Sequence, residues 1–373
     1  MGVYEELGLR KVINAWGPMT IIGGSLMHPK VVEAMAEAAR SYVDLPELHQ
    51  KVGARIAQLI GVEGCYVTSG CAAGLTIATA ALVAGTDPGK IARLPDTTGM
   101  KNEIVVQRSH RNGYDHAVRQ VGVKLVEIGG GRSTLRWELE QAIGPNTAAV
   151  FHTYARWTFE LPLLLPEVVE SAHARGVPVI VDAAAEVPPL KNLKGLSDIG
   201  ADVVVFSGGK GIRGPQAAGI VLAKPEILRA CAMNASPNHS IGRPMKVGKE
   251  ELVGMAKAVE IYVNQDHDAV YEQWHEQMAV IERAVADLPG VKTERTEAMY
   301  SEGIPATRIS IDPAVAGIDA ASVGKALAEG NPSIRVAVQR NALLVVSQFV
   351  EKGEETIIAD RLRQALRVPV GVR

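Results

Sequence analysis

The chain has 373 residues, more than the ~250–300 at which a single hydrophobic core stops growing, so two domains are expected. Hydrophobic residues make up 47% and aromatics 4%, so Val, Ala, Leu and Ile must fill the interior of a globular protein. The formal net charge of -2 gives no electrostatic ground for nucleic acid or an anionic membrane, and no apolar run approaches the ~20 residues of a membrane span.

The opening MGVYEELGLRK carries acidic residues and no apolar core, so it does not read as a secretory signal. Residues 1–45 read as an N-terminal segment that could pack with either domain and is expected on the small domain or a dimer partner. From about 62 to 223, β-branched runs alternate with helical stretches. VEGCYVT, NEIVVQ, VKLVEIG, AAVFHTY, VPVIVDAA, ADVVVFS and AGIVLA read as strands, and AAGLTIATAALVAG, YDHAVRQVG, LRWELEQAIG and LPEVVESAHARG as helices. That alternation is the pattern of a mainly parallel α/β sheet, here assigned to a large domain over 46–245. Two long amphipathic helices follow, EELVGMAKAVEIYVNQ and DAVYEQWHEQMAVIERAVADL. Then come TRISID, a helix SVGKALAEG, the pair IRVAVQ and LLVVSQF, and a last helix, giving a smaller α+β domain over 246–373. Cys65, Cys71 and Cys231 show no C-x-x-C spacing, which points to a reducing compartment, no structural zinc, and a cytoplasmic location.

Three features fall at strand ends or helix starts of the large domain. TSGCAAG (68–74) follows strand CYVT and opens a helix, leaving free N–H groups that favour a phosphate; an ordinary strand-to-helix turn is the competing reading. Asp182 ends the apolar run VIVD, which puts its carboxylate at the ligand edge of an open α/β sheet; the competing reading is a cap or turn aspartate. Lys210 follows VVVFS among Gly208, Gly209, Gly211 and Gly214, without the spacing of a nucleotide-binding P-loop. A lysine there can form an imine with a carbonyl cofactor, and the glycines would let ring and phosphate approach the main chain. Together the three meet the needs of pyridoxal 5'-phosphate: a Schiff-base lysine, a carboxylate for the ring nitrogen and an anion cradle. The GGGR run at 129–132 lacks the spacing of a dinucleotide fingerprint.

These residues, with LPDTTGMKNE (94–103), QRSHRNGYDHAV (107–118) and GRPMKVGKEE (242–251), resemble fold-type I pyridoxal-phosphate enzymes of the group that includes selenocysteine synthase and D-glucosaminate-6-phosphate ammonia lyase. The resemblance implies an aspartate-aminotransferase-like fold and a homodimer with active sites at the subunit interface. It implies that Lys210 holds the cofactor, Asp182 pairs with its ring nitrogen, and Ala184 packs on one ring face. Gly70, Cys71 and Ala72 would give main-chain contacts to the phosphate, with the Ser207 hydroxyl. His110 is the candidate for the other ring face, against readings as a metal ligand with His116 or a plain loop residue. Arg335 is the candidate for the substrate carboxylate, since a guanidinium fork matches it, against a solvent-facing strand arginine. Arg213, Arg243, Lys246 and Lys249 form a basic group, and Arg213 is counted with the substrate site. Arg108 and Arg111 could serve an anionic substrate tail.

The reaction expected is α,β-elimination from a β-hydroxy amino acid or amino-sugar acid, giving a 2-oxo acid and ammonia. Alternatives are selenium transfer on seryl-tRNA and other pyridoxal-phosphate chemistry at the α-carbon: racemase, aldolase or aminotransferase. Selenium transfer is disfavoured by the near-neutral charge, and by the little room before the cradle at residue 68 for a tRNA-binding domain.

Overall fold

The computed structural model describes residues 2–130, 132–154 and 161–367. It forms two compact units, one holding the chain up to Gly24 and from Asp266 onward, the other holding Ser25–Gln265. Strand β1 (Val12–Asn14) belongs to the smaller unit. Helices α1 (Pro29–Ala38) and α2 (Leu45–Ile60) open the larger one, and side chains set where both begin. His28 Nδ1 accepts from the Lys30 N–H at 3.2 Å, and Asp44 accepts from the Glu47 N–H at 2.8 Å.

The larger unit is built on β2 (Cys65–Thr68), β3 (Glu103–Gln107), β4 (Lys124–Ile128), β5 (Thr147–Thr153), β6 (Val179–Asp182), β7 (Val203–Ser207) and β8 (Gly219–Ala223). They form one sheet in the order β2-β8-β7-β6-β5-β3-β4, with β8 antiparallel to β2 and β7 and every other pair parallel. Each strand coincides with a run read from the sequence. Side chains alternate between two cores: Val204, Phe206, Ile220 and Leu222 enter one, while Val203, Val205 and Val221 enter the other. Covering both faces removes the need for polar alternation, which explains the continuous apolar runs. Helix α3 (Cys71–Ala84) is buried almost all round, between β7, β8 and the helix α4 (Pro225–Met233). Its sequence accordingly has no polar stripe.

The unit boundaries fall at 24/25 and 265/266, whereas the sequence placed them at 45/46 and 245/246. Helix α5 (Lys249–Asn264) packs on α1 and α2, and all three lie in the larger unit. Lys249 joins this packing by donating to the Ala38 carbonyl at 2.7 Å.

The smaller unit continues through α6 (His267–Val285), β9 (Val291–Glu297), β10 (Pro305–Ile311), α7 (Ala320–Glu329), β11 (Ser333–Arg335), β12 (Ala337–Gln339), β13 (Ala342–Val346) and α8 (Glu354–Arg367). An antiparallel sheet β12-β13-β10-β9 carries Ile309, Leu343 and Val345 against Ile281, Val323 and Leu362 of the helices. The stretch IRVAVQ, read as one strand, changes sheets midway. Its first half pairs in parallel with β1, and only Ala337–Gln339 joins β13. Strand β9, VKTERTE, was not recognised in the sequence because its side chains are mostly exposed and charged, a composition that protects a sheet edge. YDHAVRQVG is α-helical only over His116–Arg119, after a 3-10 turn at Gly113–Asp115. Among the described residues no helix is long and apolar enough to cross a membrane.

Candidate active site

The carboxyl ends of β5, β6 and β7 align Thr153 with Asp182 and Asp182 with Val205, while Ser207 at the end of β7 sits opposite Gly219. This is the sheet edge where open α/β folds bind ligands. Asp182 is 6% exposed. Its Oδ1 accepts from the Ala184 N–H at 3.0 Å and faces the Cys71 thiol at 3.6 Å. Its Oδ2 receives no hydrogen bond among the described residues. Burial raises the Asp182 pKa, against the opposing pull of the Ala184 N–H, the Lys210 charge and the Cys71 thiol. A buried carboxylate with one open oxygen is suited to a cationic N–H partner.

Lys210 lies in the turn after β7, half-buried, and its positive charge partly offsets the burial that raises the pKa of both Asp182 and Cys71. The turn is tied down by main-chain bonds from Gly208 to Ala218, Arg213 to Lys210 and Gly214 to Gly208, at 2.8, 2.9 and 2.8 Å. The glycines around Lys210 have a different reason from the one the sequence suggested. A Cβ on Gly211 would stand 1.8 Å from the Val187 carbonyl oxygen, and one on Gly209 would stand 2.5 Å from Gln216 Cα. They admit the protein's own chain rather than a ligand.

Gly70, by contrast, faces open space. It sits at φ 96°, closed to other residues, with nothing within 4 Å of a built Cβ. Among the described residues no side chain caps the helix that follows, so the first-turn N–H groups of α3 around Cys71 and Ala72 are suited to an anion. Gly219 lets the Gly70–Cys71 peptide lie against β8, since a Cβ there would come 2.6 Å from Gly70 C. Ser207 and Ala184 are joined by the Ser207 N–H donating to the Ala184 carbonyl at 3.2 Å. An amine, a carboxylate with an open oxygen and an uncapped helix start therefore fit the cofactor expected from the sequence.

His110 closes a 3-10 turn after β3 and is 1% exposed. Its Nδ1 accepts the Thr153 N–H at 3.2 Å, which assigns the proton to Nε2. The ring meets His152 edge-on at a centroid distance of 4.4 Å. Burial lowers the His110 pKa from 6.5 to about 4, and burial, with the neighbouring His110, also pushes His152 well below the ordinary histidine value. Unfolded histidine binds its proton near pH 6.5 and the folded ring only near 4, so the unfolded chain carries more protons between these values. Stability is fully present above 6.5 and is lost as pH falls toward 4, by roughly 3 kcal/mol for such a ring. Asp182, with a raised pKa, contributes with the opposite sign. The urea midpoint is expected to fall steadily from pH 7 to 4.5; a flat profile would contradict the buried neutral pair.

Several expected substrate groups are already engaged. Arg111 pairs with Asp115 at 2.5 Å and with Glu127, and Arg108 pairs with Glu127 at 3.6 Å. Arg213 holds φ 56°, costing about 1–2 kcal/mol, and its Nε donates to the Leu26 carbonyl at 2.9 Å. Lys249 is committed to Ala38 and Glu250, while Arg243 and Lys246 are exposed. Arg335 lies in the smaller unit on β11, exposed, with its carbonyl accepting the Ala15 N–H at 2.9 Å. The sequence reading missed the Cys71 side-chain contact, Thr153 as the anchor of His110, and Gly219 beneath the cradle. Of these only Gly219, a glycine opening an apolar strand, left a visible signal.

A family model described as L-seryl-tRNA selenium transferase matches residues 12–361. The chain is 32% identical to D-glucosaminate-6-phosphate ammonia lyase of Salmonella typhimurium over 97% of both chains. It is 34% identical to a 5'-C-glycyluridine monooxygenase-decarboxylase of Streptomyces, over 89% of this chain and 83% of the relative. An L-seryl-tRNA(Sec) selenium transferase of Solidesulfovibrio magneticus is 26% identical over 95% of this chain and 82% of the relative. A solved structure of D-glucosaminate-6-phosphate ammonia-lyase superposes with a TM-score of 0.87, covering 98% of each chain at 32% identity. Pyridoxamine-pyruvate aminotransferase of Mesorhizobium loti, at 15% identity and TM-score 0.57 over 96% of this chain and 92% of that one, shares the fold alone.

Proposed function

Because the chain belongs to the L-seryl-tRNA selenium transferase family, we propose that it is a pyridoxal-phosphate-dependent lyase eliminating ammonia from a β-hydroxy amino acid, of the D-glucosaminate 6-phosphate type. The observation that carries this reading is the full-length likeness to the ammonia lyase in both sequence and backbone, with a TM-score of 0.87. The fold is fold-type I, and the cofactor is pyridoxal 5'-phosphate.

Lys210 would hold the cofactor, Asp182 Oδ2 would take its ring N–H, and the Gly70, Cys71 and Ala72 amides with the Ser207 hydroxyl would take its phosphate. Ala184 and His110 would flank the ring. When bound, the group supplies an electron sink for a carbanion at the substrate α-carbon. Lys210 Nζ takes the α-proton as general base, at the sheet edge that also carries the Asp182 carboxyl group. The β-hydroxyl would leave with a proton as water, and hydrolysis at the α-carbon would then release the 2-oxo acid and ammonia. Net, a 2-amino-3-hydroxy acid becomes the 3-deoxy-2-oxo acid plus ammonia, the water lost in the elimination being returned in the hydrolysis. Arg335 would bind the substrate carboxylate, and Arg213 serves chiefly to fix the Lys210 turn.

A homodimer in the cytoplasm completes the proposal. Exposed apolar side chains support a partner surface, Tyr4 and Leu7 in the smaller unit and Tyr42 and Val43 in the larger, and three free cysteines suit a reducing compartment.

The test is incubation of cofactor-loaded protein with 2-amino-2-deoxy-D-gluconate 6-phosphate and with smaller β-hydroxy amino acids. Ammonia and 2-oxo acid are expected in equal amounts; neither product from any substrate would defeat the reading. The 34% identity to a monooxygenase-decarboxylase favours one second reading, oxidation at the same carbon, which oxygen uptake with carbon dioxide release would reveal. In the same assay Arg335→Ala is expected to raise KM about tenfold with kcat little changed, and an unchanged KM would return that residue to the surface.

A further inference from the structure

The Cys71 side chain does something that the cradle does not need. As the first residue of α3 it points back toward the strand ends, where its Sγ lies 3.6 Å from Asp182 Oδ1 and 3.8 Å from the Val205 carbonyl oxygen. Both distances suit a thiol donor to oxygen, with Asp182 the nearer and charged acceptor. Burial, and next the Asp182 charge, push the thiol well above its ordinary pKa, so it keeps its proton at neutral pH and donates. The main chain of Cys71 is meanwhile set against Gly219.

We infer that Cys71 is a positioning residue: its thiol and the Ala184 N–H together occupy Oδ1 of Asp182, fixing the carboxylate plane so that Oδ2 is presented to the cofactor ring nitrogen. This rests on the proposed cofactor site and extends it from the main chain of Cys71 to its side chain. With a single donor on Oδ1 the carboxylate is free to rotate about its Cβ–Cγ bond. Holding it costs conformational entropy on each cofactor binding unless the protein has already done so. A small residue alone would satisfy the phosphate cradle; a small residue with a proton to give is what this position adds.

The experiment is equilibrium binding of pyridoxal phosphate to wild type, Cys71→Ala, Cys71→Ser, Asp182→Asn and the double variant Cys71→Ala/Asp182→Asn, followed by cofactor absorbance. Cys71→Ala is expected to weaken binding about tenfold, and Cys71→Ser to restore it to within about threefold because serine keeps a donor. In the Asp182→Asn background Cys71→Ala should add nothing further, since its effect passes through that carboxylate. Equal affinity of Cys71→Ala and wild type overturns the inference, as does an Ala penalty undiminished in the Asn background. Should Cys71→Ala fail to fold, Cys71→Ser carries the test: a folded serine variant with tenfold weaker binding overturns it. Failure of wild type to bind the cofactor, or of Asp182→Asn to weaken it, would instead strike the site assignment itself.

Discussion

Lys210→Ala is expected to abolish turnover, by about 10⁴-fold or more, and to remove the yellow absorbance of the lysine-bound cofactor in the same variant. The two losses come together because one amine is assigned two tasks, holding the cofactor and taking the α-proton. The turn around it is set by main-chain bonds and by glycines pressed against Val187 and Gln216, so a shorter side chain should leave the backbone in place. Near-wild-type melting would confirm that the loss is chemical. Borohydride reduction of the loaded wild type should add the cofactor mass to the tryptic peptide containing Lys210. Turnover retained in Lys210→Ala, or an unmodified peptide, would remove the lysine from the mechanism.

Asp182→Asn should still fold and still bind cofactor, yet lose about 10²- to 10³-fold in kcat. The amide keeps the shape and an oxygen for the Ala184 N–H, but its nitrogen is a donor where the ring nitrogen needs an acceptor. Without the negative charge the ring nitrogen gives up its proton and withdraws electrons less strongly. The same substitution removes a charge whose burial is unfavourable, as the raised Asp182 pKa shows, so the cofactor-free variant should melt no lower than wild type. A large fall in activity with unchanged or higher melting temperature is therefore the expected pair. Near-normal turnover would show that no charge partner is needed at that position.

Much of the larger unit was legible because its strands are buried on both faces. Runs such as VVVF and VIVD have no competing explanation when 0% exposure is shared by Val203, Val204, Val205 and Phe206. The positions of Asp182 and Lys210 were legible for the same reason: one ends an apolar strand and the other lies in the turn after one, at the carboxyl edge of the sheet. The smaller unit was read less well. Strand β9 carries exposed charges and looks like a loop, and the break between Arg335 and Ala337 depends on pairing with Val12–Asn14, more than 300 residues away. No local pattern encodes a partner at that separation.

Composition, periodicity and the order cradle, aspartate, lysine were determined by the chain alone, since burial and strand-end position follow from short stretches read in isolation. Only the tertiary structure decided what the small residues are for. Gly70 faces open space and Gly211 faces Val187, though both are glycines in glycine-rich turns. Likewise Cys71 meets Asp182 across 111 positions of sequence, and Arg213 Nε finds the Leu26 carbonyl across 187. Such assignments depend on which groups fold against each side chain, and that is a property of packing in three dimensions.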